Sequence, residues 1–202
     1  PVIEEKSLEL MKKCIELAQD LGVRTIQLAG YDVYYEEKSP QTRQRFIKNL
    51  RKACDWAEEA QVVLAIEIMD DPFINSIEKY LAIEKEIDSP YLFVYPDIGN
   101  VSAWHNDVYS EFYLGHHAIA ALHLKDTYAV TESSKGQFRD VPFGQGCVKW
   151  EEAFDILKQT NYNGPFLIEM WSENCETVEE TRAAIQEAQA FLYPLIKKAG
   201  LM

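Results

Sequence analysis

The sequence predicts an α/β fold in which helices cover a parallel sheet. Short runs apolar at every position, such as Val-Val-Leu-Ala-Ile at 62–66, recur along the chain, and strands apolar on both faces belong to buried parallel sheets. Between them lie segments with an apolar residue every three or four positions, the spacing of an amphipathic helix. Regular alternation of the two leaves a doubly wound open sheet or a closed barrel. A length of 202 residues, 47% hydrophobic, points to one domain over residues 1–202 with a sizeable core.

The elements follow in order. Leu8, Met11, Ile15 and Ala18 stand at helical spacing, and Leu21-Gly22 supplies a stop. Thr25–Ala29 is a short buried strand that ends at Gly30. Ser39 as cap and Pro40 in the first turn open a helix whose stripe is Phe46, Leu50, Cys54 and Ala57. Residues 62–68 form the next strand, 76–87 a helix, Leu92–Tyr95 a strand, 108–114 a short helix and 119–124 a strand. A long loop over 127–147 leads to the helix Trp150–Gln159, and the turn at 161–165 releases a strand over 166–170. Thr177 and Glu180 form a capping box for a last helix that runs to Lys197-Lys198 and stops at Gly200. Five strands result.

Charge narrows the function. A net charge of −13 disfavours nucleic acid and anionic membranes as partners. No apolar run reaches the roughly 20 residues of a membrane-spanning helix, and no leader pattern opens the chain, so a soluble cytoplasmic protein is expected. Cys14, Cys54, Cys147 and Cys175 form no paired motif and read as reduced thiols.

Four successive strands each carry one residue that is costly in an apolar run. Glu67 sits in Val-Val-Leu-Ala-Ile-Glu-Ile, Asp97 follows Leu-Phe-Val-Tyr-Pro, His123 lies in Ala-Leu-His-Leu-Lys, and Glu169 in Phe-Leu-Ile-Glu-Met. Singly, each reads as a paired core acid or a hydrogen-bonded core histidine. Together, at the carboxyl ends of parallel strands, they read as one site of the kind that barrels build from several strands. Three carboxylates and an imidazole suit one divalent ion, Mn, Mg, Co or Zn, better than copper or an iron–sulfur cluster. Glu67 and Glu169, at opposite ends of the series, could face opposite sides of a sugar carbon and move a proton on and off it.

The wording of these motifs resembles a known family. Ala-Ile-Glu-Ile-Met-Asp at 65–70, Tyr-Pro-Asp-Ile-Gly-Asn at 95–100, His-Leu-Lys-Asp at 123–126 and Leu-Ile-Glu-Met-Trp at 167–171 are similar to those of L-ribulose-5-phosphate (L-xylulose-5-phosphate) 3-epimerases, also labelled hexulose-6-phosphate isomerases. Residues 26–35 and 141–146 carry the same likeness. The resemblance implies a xylose-isomerase-like TIM (β/α)8 barrel, with Glu67, Asp97, His123 and Glu169 as metal ligands and Glu67 and Glu169 as the catalytic acid/base pair. Its substrate would be a sugar phosphate epimerised at C3. The alternatives are an aldose–ketose isomerase of the hexulose-6-phosphate type and a metal-binding fragment without turnover.

Members of that family carry three strands and two or three helices before the first helix seen here. The resemblance therefore implies the C-terminal five β/α units, strands 4–8, with open edges at Thr25–Ala29 and 166–170. A homo-oligomer is compatible with such edges.

Weaker signals surround the site. The loop with Lys135, Arg139, Gly144 and Gly146 follows the penultimate strand, where barrels often bind phosphate, and its glycines would let backbone N–H groups approach an anion. Lys125 shares a strand face with His123 and is a second substrate candidate, or the partner of an acid. Trp104 and Trp171 could wall a sugar site, although most such residues are packing. His105, His116 and His117 read as surface residues rather than ligands.

Overall fold

The computed structural model describes residues 2–34, 36–171, 173 and 175–202. Helix α1 (Val2–Leu21) leads to strand β1 (Thr25–Ala29), α2 (Pro40–Ala60) to β2 (Val63–Glu67), and α3 (Ile77–Ile87) to β3 (Leu92–Tyr95). Next come α4 (Ile98–Ala103), α5 (Val108–Gly115), a 3-10 turn (His116–Ala118) and β4 (Leu122–Leu124). Strands β5 (Asp126–Tyr128) and β6 (Gln137–Val141) precede α6 (Trp150–Gln159), β7 (Phe166–Ile168) and α7 (Val178–Ala199).

Strands β1, β2 and β3 pair in that order, in parallel, with Ala29 opposite Glu67 and Glu67 opposite Tyr95. Parallel bridges from Val94 to Ile119 and from Asp97 to His123 carry the wall onward to β4, which pairs in parallel with β7. Among the described residues β1 pairs with β2 alone and β7 with β4 alone.

The core lies on the helix side of this wall. Leu64, Ile66, Val94, Leu122 and Leu124 alternate outward along their strands and pack with Leu50, Ala57, Tyr80, Phe112, Phe154 and Leu192 from the helices. Ala65, Tyr95 and Ala121 face the other way in a small separate cluster. The anticipated helix caps are present. Ser39 accepts the Thr42 N–H and Thr177 accepts the Glu180 N–H, each within a reciprocal capping box.

Three expectations need correction. The span 127–147 is not one loop: β5 and β6 form an antiparallel hairpin within it. Three of the five β6 residues, Gln137, Arg139 and Asp140, are polar, and its two apolar residues, Phe138 and Val141, do not alternate at strand spacing. The strand expected over 119–124 is only three residues long, Leu122–Leu124, and Ile119 joins the wall through a single bridge to Val94. Helix α4 was not anticipated at all. It is six residues long, and its start signal is the Asp97 side chain, which accepts the Asn100 N–H.

Helix α4 lies against the chain between β4 and β5 at Gly99. A Cβ there would stand 2.6 Å from the Lys125 carbonyl oxygen and 2.8 Å from Thr127 Cγ2, while the Thr127 hydroxyl donates to the Gly99 carbonyl. Gly99→Ala should therefore destabilise the chain by roughly 1–3 kcal/mol in urea melts. A neutral result would show that α4 can move away from β4 freely.

Candidate active site

Successive side chains of a strand point to opposite faces, so the face turned away from the helices holds residues of one parity. It carries Gln27 on β1, Glu67 on β2, Asp97 just past β3, His123 and Lys125 around β4, and Glu169 just past β7. All but Gln27 lie at or near the carboxyl ends of their strands.

Glu67, Asp97, His123 and Glu169 each offer one ligand atom, and these atoms lie within 4.8 Å of one another. Asp97 is fully buried, and Glu67, His123 and Lys125 nearly so. His123 Nδ1 stands 2.8 Å from Glu67 Oε1 and 3.0 Å from Glu169 Oε2. Lys125 Nζ stands 2.9 Å from Asp97 Oδ2 and 3.1 Å from Glu169 Oε1. Gln27 Nε2 donates to Glu67 Oε2 at 2.6 Å, and Trp171 Nε1 donates to Glu169 Oε1 at 3.2 Å. Asp97 Oδ1 accepts the Asn100 N–H at 2.9 Å, so one carboxylate both caps α4 and faces the cluster.

Burial acts on every charge here. It pushes the Asp97 carboxyl above its ordinary range, against the pull of Lys125. Burial would raise Glu169 too, but the hydrogen bond with His123 and the charge of Lys125 outweigh it and hold that carboxyl low. It also disfavours the His123 imidazolium, yet the flanking Glu169 and Glu67 prevail and lift it to about 9.

Two oxygens, Asp97 Oδ2 and Glu169 Oε2, are sealed from solvent and receive no well-directed hydrogen bond, despite their close charged neighbours. Three carboxylates and one imidazole, two of whose oxygens lack a directed hydrogen bond, fit a divalent cation.

Glu67, His123, Lys125 and Glu169 line the floor of a cavity of about 480 Å³, while Asp97 is buried outside its lining. Tyr31, Asp70, Phe138, Arg139 and Trp171 stand around it, and the Arg139 guanidinium lies 3.8 Å from the centre of the Trp171 ring. Tyr31 donates a very short hydrogen bond to Asp70 across the other side. The cavity thus has a cationic wall at Arg139 and an acidic one at Asp70.

The remaining sequence candidates fall elsewhere. Gly144 and Gly146 do not offer their N–H groups to an external anion, because both donate to Asp126 Oδ2, at 2.8 and 3.1 Å. The same carboxylate accepts from Val148 N–H at 3.3 Å and from the Trp150 indole at 3.4 Å. Buried Asp126 thus already fills the anion seat that the glycines suggested. Lys135, His105, His116 and His117 are exposed residues outside the cavity lining, as the surface reading of the histidines anticipated. Trp104 is also outside that lining and packs on Phe138.

Gln27, Asn100 and the Tyr31–Asp70 pair were missed. Gln27 has a readable signal in retrospect, an amide at mid-strand on the parity of the site. Asn100 was hidden by its place in an unanticipated helix.

A family profile described as xylose isomerase-like TIM barrel matches residues 1–195. The chain belongs to that family. Within the xylose isomerase-like TIM barrels it is 46% identical over 200 residues to L-ribulose-5-phosphate 3-epimerase UlaE of Escherichia coli O157:H7, covering 99% of this chain and 67% of that protein. It is 52% identical over 200 residues to SgbU of Haemophilus influenzae, which carries a provisional L-ribulose-5-phosphate 3-epimerase name, over 99% and 69% of the two chains. Among solved structures of the same fold, a xylose isomerase domain protein from Planctomyces limnophilus superposes with a TM-score of 0.77 at 21% identity, covering all of this chain and 69% of that one. A structure described as L-ribulose 3-epimerase gives 0.76 at 20% identity, over 95% and 67%. No described helix is long and apolar enough to cross a membrane.

Two outcomes follow for the site. Asp126→Ala orphans four backbone N–H groups, those of Thr127, Gly144, Gly146 and Val148, and an indole, and should cost about 3 kcal/mol or more, with faster amide exchange at Gly144, Gly146 and Val148. The second concerns pH. His123 titrates in the folded chain near 9, above the ordinary value of about 6.5, so its network contributes stability that is whole below about pH 6.5 and lost as pH rises through 9. In urea melts with a chelator, the advantage of wild type over His123→Gln should shrink between about pH 6 and about pH 9.5. An advantage that grows with pH would overturn the protonated-histidine reading.

Proposed function

We propose that this chain epimerises a ketopentose 5-phosphate at C3, interconverting L-ribulose 5-phosphate and L-xylulose 5-phosphate with one bound divalent ion. The observation that carries the proposal is the cluster of Glu67, Asp97, His123 and Glu169, with ligand atoms within 4.8 Å of one another and all but Asp97 lining one cavity, in a chain 46% identical to an enzyme named for that reaction. The reading assigns the five parallel strands to strands 4–8 of a (β/α)8 barrel, within one domain.

Glu67, Asp97, His123 and Glu169 would hold the ion, which is Zn, Mn, Co or Mg on the donor set. When bound, it supplies Lewis acidity that polarises the ketose carbonyl. Glu67 and Glu169 project from β2 and from the end of β7, on either side of His123, so a carbon between them presents one face to each. One glutamate, as the carboxylate, removes the C3 proton while the C–H electron pair passes toward C2; the other, entering as the carboxylic acid, delivers its proton to the opposite face as the pair returns to C3. Gln27 and Trp171 each hold one glutamate oxygen and so fix which oxygen is free to act.

Polarity orients the substrate. Arg139, stacked on Trp171, is the rim cation suited to a phosphate, and the Tyr31–Asp70 side would repel one. The phosphate end therefore lies toward Arg139 and the hydroxyl end toward Tyr31.

The test is an NMR assay of L-ribulose 5-phosphate in heavy water with Mn or Zn. Wild type should form L-xylulose 5-phosphate with deuterium at C3, and Glu169→Gln should lose roughly a hundred- to ten-thousand-fold in rate while still folding. An aldose product with deuterium at C2, and deuterium at C1 of the recovered ketose, would make the chain an aldose–ketose isomerase instead. Metal binding without any exchange would overturn the assignment of substrate.

A further inference from the structure

The oxygen that Asp97 has left to offer a metal is already held by an internal cation. Its Oδ1 is committed to the Asn100 N–H at the start of α4, which leaves Oδ2, and Lys125 Nζ lies 2.9 Å from that atom. The same ammonium lies 3.1 Å from Glu169 Oε1, so it bridges two of the four groups in the cluster. Lys125 is buried, and no other lysine or arginine stands within ion-pair distance of those carboxylates among the described residues. Asp97 Oδ2 nonetheless receives no directed hydrogen bond, so the contact is one of charge at close range and is open to exchange.

We infer that Lys125 is a built-in counter-ion that occupies the seat of the metal and competes with it. This rests on the metal site proposed above. Three carboxylates so close together repel one another, and an ammonium between two of them keeps the strand ends in place until a divalent ion displaces it. Lys125 is then a positioning residue, and it lowers metal affinity because the entering ion must move a positive charge aside.

Competition and simple support give opposite signs. A lysine that only buttresses the fold would, once removed, loosen the site and weaken metal binding. A competing lysine, once removed, strengthens it. Calorimetric titration of chelator-stripped protein with Mn should show one ion bound by wild type, binding about tenfold or more tighter in Lys125→Met, and near wild-type affinity in Lys125→Arg, which keeps the charge. Metal-free Lys125→Met should also melt earlier than wild type at low salt and recover when Mn is added. In the wild-type chain, amine labelling of Lys125 read by mass spectrometry should rise several-fold on adding Mn, a measurement that needs no variant to fold. Equal or weaker binding in Lys125→Met, or labelling unchanged by Mn, overturns the competition while leaving the metal site intact. A wild-type chain that binds no divalent ion overturns both.

Discussion

Like charges about 4 Å apart repel by about 4 kcal/mol in a partly buried setting, and three carboxylates crowd together at the strand ends of this chain. Much of the surrounding structure answers that repulsion. His123 lies between two of the carboxylates and is held protonated by them. Lys125 bridges Asp97 and Glu169, while the N-terminus of α4 takes the other oxygen of Asp97. Gly99 lets that helix pack closely on the chain at Lys125 and Thr127. The site and the packing of α4 are therefore one problem with one solution.

Neighbouring residues on one strand serve two different buried anions. Lys125 points into the cluster, and Asp126, one residue on and of opposite parity, points into the loop before α6. There it gathers the N–H groups of Gly144, Gly146 and Val148, organising the turn in the way an external anion would. A glycine-rich loop after a barrel strand suggests phosphate binding because its amides converge. Here they converge on a side chain, which leaves the stacked Arg139 as the cation suited to that task.

Much of this was legible in the sequence because strand period and burial act locally. An acid at the end of an apolar run, repeated at Glu67, Asp97 and Glu169 with His123 among them, is conspicuous since isolated charges are costly there. The helix stripes of α1 and α2, the cap at Ser39 and the capping box at Thr177 were readable for the same reason. What escaped depends on partners distant in sequence. Asn100 matters through Asp97 and Ile68, Gln27 through Glu67 forty residues away, and β6 through its pairing with β5. No local pattern announces such pairings.

The alternation of strand faces also governs which insertions this architecture tolerates. One extra residue inside β2 or β4 would turn Glu67 or His123 toward the aliphatic layer under the helices and bring a leucine or isoleucine to the floor of the cavity. The same residue added to the turn between β5 and β6 would alter only an exposed tip. Strand lengths in such a chain are therefore frozen by chemistry while its hairpins remain free to drift. Divergence in substrate preference has an open route through the loops that carry Tyr31 and Asp70 and through the hairpin that carries Arg139, above an unchanging floor.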